Sequence, residues 1–240
     1  MKMSELLYLT DSYIKEFDCK VTETNEEDNA VVIDKTAFYP GGGGQPNDTG
    51  ILTDGTTTYN VNKVKKKDNK IYHYIEGSLP QVNQTLKGII NWENRYQLMR
   101  THTAMHILSG VVWRDYQAQV TGANMEPLSA RMDFEFENFN ENLIKEIEEK
   151  INKEVKIGRD ISVKILSREE AFQIPDLIRT KINLLPEGIQ EVRTVNIEGL
   201  DLQADGGTHV KNTEEVGKIK IVKYKSKGVI NKRVYLELEN

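Results

Sequence analysis

The chain has 240 residues, 38% hydrophobic and 29% charged, with 37 acidic against 32 basic side chains for a net charge of −5. That is enough apolar material for one large or two smaller cores, and the charge alone does not mark a nucleic-acid binder. No apolar run approaches the ~20 residues that span a bilayer, no secretory leader is visible, and the single Cys19 precludes an intrachain disulfide, so a cytoplasmic protein without membrane contact is expected.

The first part reads as short strands separated by turns. Alternation is weak over the opening residues, but Ala30–Ile33, Thr57–Val61 and Lys70–Ile75 are rich in β-formers, and Asn47–Gly50 and Thr53–Gly55 supply turn chemistry. Many short strands without a long helix predict a small β-barrel or sandwich over residues 1–88. Beyond Asn91 the period changes. Tyr96, Met99, Thr103, His106 and Ile107 recur at helical steps and predict a helix from Asn94 through Val112. A strand follows at Ala130–Phe136. Ile144, Ile147, Ile151 and Val155 then predict an amphipathic helix, opened by Asn140 and stopped by Gly158. Strands are expected at Ile161–Ile165, Gln190–Ile197, Lys218–Tyr224 and Arg233–Leu238. Residues 89–240 therefore predict helices packed on an antiparallel sheet, and the chain as a whole is α+β.

Three of the four histidines fall at metal-ligand spacings. His102 and His106 are four apart on the predicted helix, so they share one face. His209 closes the run Asp205-Gly206-Gly207-Thr208-His209, in which two glycines free the backbone for a tight loop. Three imidazoles and a carboxylate suit one tetrahedral zinc ion, or a site with one place kept for water. No carboxylate lies between His102 and His106, which removes the helix-borne general base of zinc proteases. A second motif, Thr36-Ala-Phe-Tyr-Pro-Gly41-Gly42-Gly43-Gly44-Gln45-Pro46, is a candidate binding loop. It is not a phosphate-binding P-loop, because no Gly-Lys-Ser/Thr follows.

Charge is segregated along the chain. Eight basic residues lie between Lys211 and Arg233, and Lys63, Lys65, Lys66, Lys67 and Lys70 form a second cluster. Such segregation can give an acidic protein one positive face.

Taken together, Arg100-Thr-His102-Thr-Ala-Met-His106, the glycine-rich loop ending in Gln45, and Asp205-Gly-Gly-Thr-His209 resemble the editing domain of alanyl-tRNA synthetase. They are similar to its free-standing relatives, the AlaX-type alanyl-tRNA editing proteins of medium length. The likeness runs in order over nearly the whole chain, including the closing strands from Gly217 to Val234. It implies a translation-factor-like β-barrel followed by an editing domain, and hydrolysis of alanine tRNA wrongly charged with serine and, in some members, glycine. It also implies a zinc ion on His102, His106, Asp205 and His209, with Asp205 standing where the family carries cysteine. A carboxylate is a harder ligand than a thiolate, so water replacing Asp205 is the alternative. Gln45 is the expected group for orienting substrate or water, and Thr36 the expected partner of a seryl hydroxyl, with Thr103 and Thr208 as alternatives. Gly42, Gly43 and Gly44 are expected to approach the substrate. The tRNA is expected to be held through its phosphates by Lys63 to Lys67 and the Lys211–Arg233 segment, with Lys211 and Arg233 among the contacts and no obligate protein partner. Two competing readings are a zinc hydrolase of a small ester or amide, and a tRNA-binding module without catalysis.

Overall fold

The computed structural model describes residues 3–136, 139–177 and 188–239. The chain divides into two compact units, Met1–Tyr96 and Gln97–Asn240.

The first unit carries β1 (Glu5–Leu6), β2 (Glu16–Asn25), β3 (Ala30–Ile33), β4 (Lys35–Thr36), β5 (Gly50–Thr53), β6 (Thr58–Lys67), β7 (Lys70–Glu76) and β8 (Thr85–Ile90). Six of these close a barrel in the order β2-β3-β7-β6-β5-β8, every pairing antiparallel. Closure removes the exposed edges that short strands would otherwise offer to other chains. β1 pairs in parallel with β4, setting Leu6 beside Thr36. Along β2, Phe17, Cys19 and Val21 are buried while Asp18, Lys20 and Thr22 face outward. With Val31, Ile33, Phe38, Leu52, Val61, Ile71 and Leu86 they fill the barrel.

The second unit is built around α1 (Trp92–Tyr116), whose first residues belong to the barrel unit. There follow β9 (Val120–Glu126), β10 (Ser129–Glu135), α2 (Glu141–Ile157), β11 (Ile161–Ser167), α3 (Arg168–Phe172), β12 (Glu191–Ile197), β13 (Asp201–Ala204), β14 (Ile219–Ser226) and β15 (Asn231–Leu238). They form two antiparallel sheets, β14-β15-β10-β9 and β11-β12-β13. The fold is α+β, as the sequence pattern predicts.

α2 follows its signals closely. The Asn140 side chain accepts from the Leu143 amide at 3.0 Å, Gly158 ends the helix in the left-handed conformation, and Ile144, Ile147, Ile151 and Val155 are buried. α1 is different: every residue from Thr101 to Val112 is buried, so no apolar stripe defines a single inner face. Gly110 sits in this helix for a packing reason. A Cβ there would lie 3.0 Å from Leu200 Cγ and 3.2 Å from Asp201 Cβ. The missing side chain lets the turn before β13 approach α1. Among the described residues, no helix is long and apolar enough to cross a membrane.

Candidate metal centre

α1 presents His102 and His106 one turn apart, with ring centroids 5.1 Å from each other. The loop after β13 brings His209 to 4.2 Å from the His102 ring and 4.7 Å from the His106 ring. Asp205 completes the group. Its Oδ1 lies 3.5 Å from His102 Nε2 and its Oδ2 3.0 Å from His209 Nε2. One ligand atom from each of the four residues falls within 4.8 Å of all the others. Bonds of about 2.0–2.1 Å to a tetrahedral zinc would set ligands about 3.3 Å apart, so small side-chain shifts suffice to close the set around an ion. The residues fit a metal.

The surrounding side chains fix these ligands. Asp201 Oδ2 lies 2.9 Å from His106 Nδ1, which makes Nε2 the nitrogen that can serve as ligand. Gln203 Nε2 donates to the same carboxylate oxygen at 2.8 Å. Thr103 Oγ1 lies 3.2 Å from His209 Nδ1 and accepts the Val210 amide at 3.3 Å. The loop is closed on itself by the Gly207 amide, which donates to Asp205 Oδ2 at 2.7 Å. Arg193 on β12 donates to the Asp205 carbonyl at 2.8 Å and lies 3.6 Å from its carboxylate.

Protonation favours cation binding. Burial pushes His102 well below the usual histidine range, with His209, His106 and Arg193 adding to the effect against the opposing pull of Asp205. Burial likewise brings His209 down to about 4, although Asp205 opposes it. For Asp205 burial acts to raise the carboxyl. The neighbouring imidazoles, His102 foremost, and the His209 hydrogen bond outweigh it and hold the group well below its usual range. Neutral imidazoles beside an ionised carboxylate are the states in which these groups bind a cation.

The glycine-rich loop is a closed structure rather than a slack hairpin. Gly41, Gly42, Gly43 and Gly44 all have positive φ, between 59° and 139°, where a side chain would be strained. Gly42 and Gln45 exchange backbone hydrogen bonds at 3.0 and 2.9 Å, and the Tyr39 hydroxyl donates to the Gly42 carbonyl at 3.0 Å. Gln45 is buried. At the base of the loop the Tyr39 amide donates to Asp48 Oδ2 at 2.5 Å. Asp48 in turn forms a two-pronged ion pair with Arg95, whose Nε donates to Oδ1 at 2.8 Å while its Nη2 pairs with Oδ2. Arg95 also donates to the carbonyls of Ser12 at 3.0 Å and Ala37 at 2.6 Å. Both charges are fully buried.

Thr36 lies without solvent exposure, 2.8 Å from His73 Nε2, and accepts the Phe38 amide at 3.1 Å. Two of the three bonds that a hydroxyl can make are therefore to the barrel itself. Thr208 is buried beside His209 and Lys211 is exposed. Arg233 is not an unengaged phosphate contact, because its guanidinium forks onto Asp133 at 2.6 and 2.7 Å. Lys218 and Lys220 pair with Glu239, and Lys232 is buried, donating to the carbonyls of Gly228 and Val229. The basic run from Lys211 to Arg233 thus carries less available charge than its count suggests.

Three side chains central to these arrangements escape sequence reasoning: Asp201, Arg193 and Asp48. Asp201 carries a faint signal, an acid four residues ahead of Asp205 at the start of β13. Arg193 meets the Asp205 loop through the pairing of β12 with β13, and Asp48, in the loop before β5, meets Arg95 on α1, neither of which spacing shows.

A closed six-stranded barrel followed by an α+β unit with three histidines and a carboxylate gathered together defines a two-unit protein with a candidate metal centre. Residues 7–94 match the family described as tRNA synthetases class II (A), and residues 192–235 match the threonyl and alanyl tRNA synthetase second additional domain. The alanyl-tRNA editing protein AlaX-M of Saccharolobus solfataricus is 45% identical over 237 residues, covering 97% of this chain and 98% of the relative. AlaX-M of Methanosarcina barkeri is 39% identical over 98% of this chain and 99% of its own length. An alanine–tRNA ligase from Ignicoccus hospitalis is 38% identical over 90% of this chain, which corresponds to 24% of the ligase. The chain belongs to the family of alanyl-tRNA editing proteins.

Proposed function

We propose that the protein hydrolyses the ester of alanine tRNA wrongly charged with serine, and with glycine as a lesser substrate, using one zinc ion held by His102, His106, Asp205 and His209. The observation that carries this reading is the convergence of four ligand atoms from two distant segments, in a member of an editing family. An aminoacyl ester is already activated, so the reaction needs a placed water and stabilisation of the oxyanion. Zinc bound at this centre supplies Lewis acidity to such a reaction.

The remaining roles belong to the chain's own side chains. Asp201 and Thr103 hold His106 and His209 in fixed orientations. Arg193 braces the Asp205 loop and balances its carboxylate. Gln45, on a loop whose shape is set by four glycines and the Asp48–Arg95 pair, orients substrate or water, and Gly42 to Gly44 allow close approach of its backbone. Thr36 is the hydroxyl assigned to recognise serine, ahead of Thr103 and Thr208. A buried polar group that pairs with serine is left unpaired by alanine, which selects in the required direction. Lys211 is assigned to the acceptor end, and activity to the cytoplasm.

The test is deacylation of seryl-, glycyl- and alanyl-charged alanine tRNA by zinc-loaded protein, with Thr36→Val alongside. Rapid clearance of the serine ester with sparing of alanine supports the reading, and Thr36→Val narrows that ratio while zinc is retained. Zinc-dependent hydrolysis of simple esters without turnover of seryl-tRNA would overturn it in favour of a small-molecule hydrolase. Absence of both metal and turnover would leave a tRNA-binding module.

A further inference from the structure

The outward face of the sheet β14-β15-β10-β9 collects cations around one aromatic ring. Register places Lys223, Tyr235, Arg131 and Asn124 in one row across the four strands, and Lys225, Arg233, Asp133 and Gly122 in the next. Lys223 and Lys225 carry their ammonium groups 6.0 and 5.8 Å from the Tyr235 ring centroid. Lys227 continues the line at the strand's end and is exposed like the other two lysines. Within these two rows Lys223, Arg131, Lys225 and Arg233 stand beside Asp133, in a chain whose net charge is −5. Glu237 and Glu135 occupy the rows on either side and bound the patch.

Residues two apart on a strand point the same way about 6.6 Å apart, so Lys223 and Lys225 form a line rather than a cup, and the exposed Lys227 follows just past the end of β14. A line of cations suits an extended polyanion better than a compact one. Edge strands often carry lysine simply to discourage pairing with other sheets. That explanation covers β14 but not Tyr235 on an inner strand, where Arg233 and Arg131 are both paired with Asp133 and, among the described residues, leave the three lysines as the unpaired run beside the ring. The phenol adds a directional group: its hydrogen bond with Arg233, then the charges of Lys225 and Lys223, pull it below the usual tyrosine range, opposed by burial. A phenol so placed is a strong donor toward an anion.

We infer that this face binds the phosphate backbone of an RNA, with Lys223, Lys225 and Lys227 tracking the strand and Tyr235 donating its hydroxyl to a phosphate oxygen. The identity of the RNA as alanine tRNA rests on the function proposed above; the phosphate chemistry does not. Each phosphate contacted on a duplex adds about −0.9 to the slope of log affinity against log salt. Lys223→Gln/Lys225→Gln removes two such contacts. The phenol carries no formal charge, so Tyr235→Phe changes affinity and not slope.

The experiment measures binding of uncharged alanine tRNA transcript to zinc-loaded full-length protein between about 50 and 200 mM salt, the range over which phosphate contacts are lost. The double variant is expected to flatten the slope by about 1.8. Tyr235→Phe is expected to weaken binding about fivefold, the worth of one neutral hydrogen bond, at unchanged slope. Lys153→Gln/Lys156→Gln, two exposed lysines on α2, removes the same charge elsewhere and should leave the slope as in the parent. Equal slopes for parent and the β14 variant overturn the inference, as does an equal flattening by the α2 variant. Unchanged affinity in Tyr235→Phe removes the phenol from the site. Because the ligand is uncharged tRNA, a protein that binds it through this face yet fails to deacylate seryl-tRNA would sink the proposed activity and leave the surface standing.

Discussion

His73 and His209 are both fully buried, and burial brings both down to about 4, yet their surroundings differ in kind. His73 is closed: its Nε2 meets Thr36 at 2.8 Å, its Nδ1 lies 3.3 Å from the Val31 carbonyl, and Phe38 packs edge-on against the ring. His209 faces two other imidazoles and a carboxylate, with a threonine on its far nitrogen. Burial and a depressed pKa are common to both, so neither property marks a site. What separates them is convergence: the barrel histidine is closed off by a threonine and a carbonyl, whereas the second unit brings one ligand atom from each of four side chains within 4.8 Å of one another.

Breaking the convergent side should have the largest effect. His102→Ala is expected to lose bound metal and lower seryl-tRNA deacylation by about three orders of magnitude, since a Lewis-acid contribution of several kcal/mol is removed. Metal content and single-turnover rate check this, and retention of both would show that His102 is not a ligand.

On the closed side the largest effect belongs to Arg95→Ala. It strands the buried Asp48 carboxylate and releases the glycine-rich loop, and is expected to cost about 3–5 kcal/mol in urea unfolding. A loss within about 0.5 kcal/mol, usual for surface changes, would mean that water replaces the guanidinium without penalty.

His73 sharpens the comparison through pH. Its folded pKa of about 4 lies below the ordinary histidine value of 6.5, so the unfolded chain binds the proton more readily. The associated stability is present above pH ~6.5 and is lost as pH falls towards ~4, amounting to roughly 3 kcal/mol. His73→Phe should therefore show a shallower decline in stability over that interval than the parent, and parallel declines would count against a neutral buried imidazole.

Smallest is the change to a group that acts through a ligand. Asp201→Asn keeps the shape but weakens the hold on His106, and zinc affinity is expected to fall by about 10–100-fold while the fold is preserved. Unaltered affinity in a competition assay would show that His106 is oriented by other contacts.

Legibility in the sequence follows the range of the interactions. α2 can be read completely because its cap, its isoleucine spacing and its terminal glycine are all local. β2 carries a full inside–outside alternation, Phe17, Cys19 and Val21 against Asp18, Lys20 and Thr22, which corrects the weak alternation expected over the opening residues. The core of α1 lacks a polar face, so its pattern is weaker than its length deserves. The ligand residues stand out from two four-residue spacings, but Asp201 meets His106 across 95 positions and Arg95 meets Asp48 across 47. Those pairings come from the approach of β13 and of the loop before β5 to α1, which no local pattern encodes.

The most direct test is zinc K-edge absorption on the metal-loaded protein. One zinc per chain should show imidazole scattering and only nitrogen or oxygen neighbours at about 2.0–2.2 Å. A sulfur neighbour at about 2.3 Å, which would have to come from the barrel's Cys19 or a methionine, or the absence of imidazole scattering, would contradict a centre built on His102, His106, Asp205 and His209.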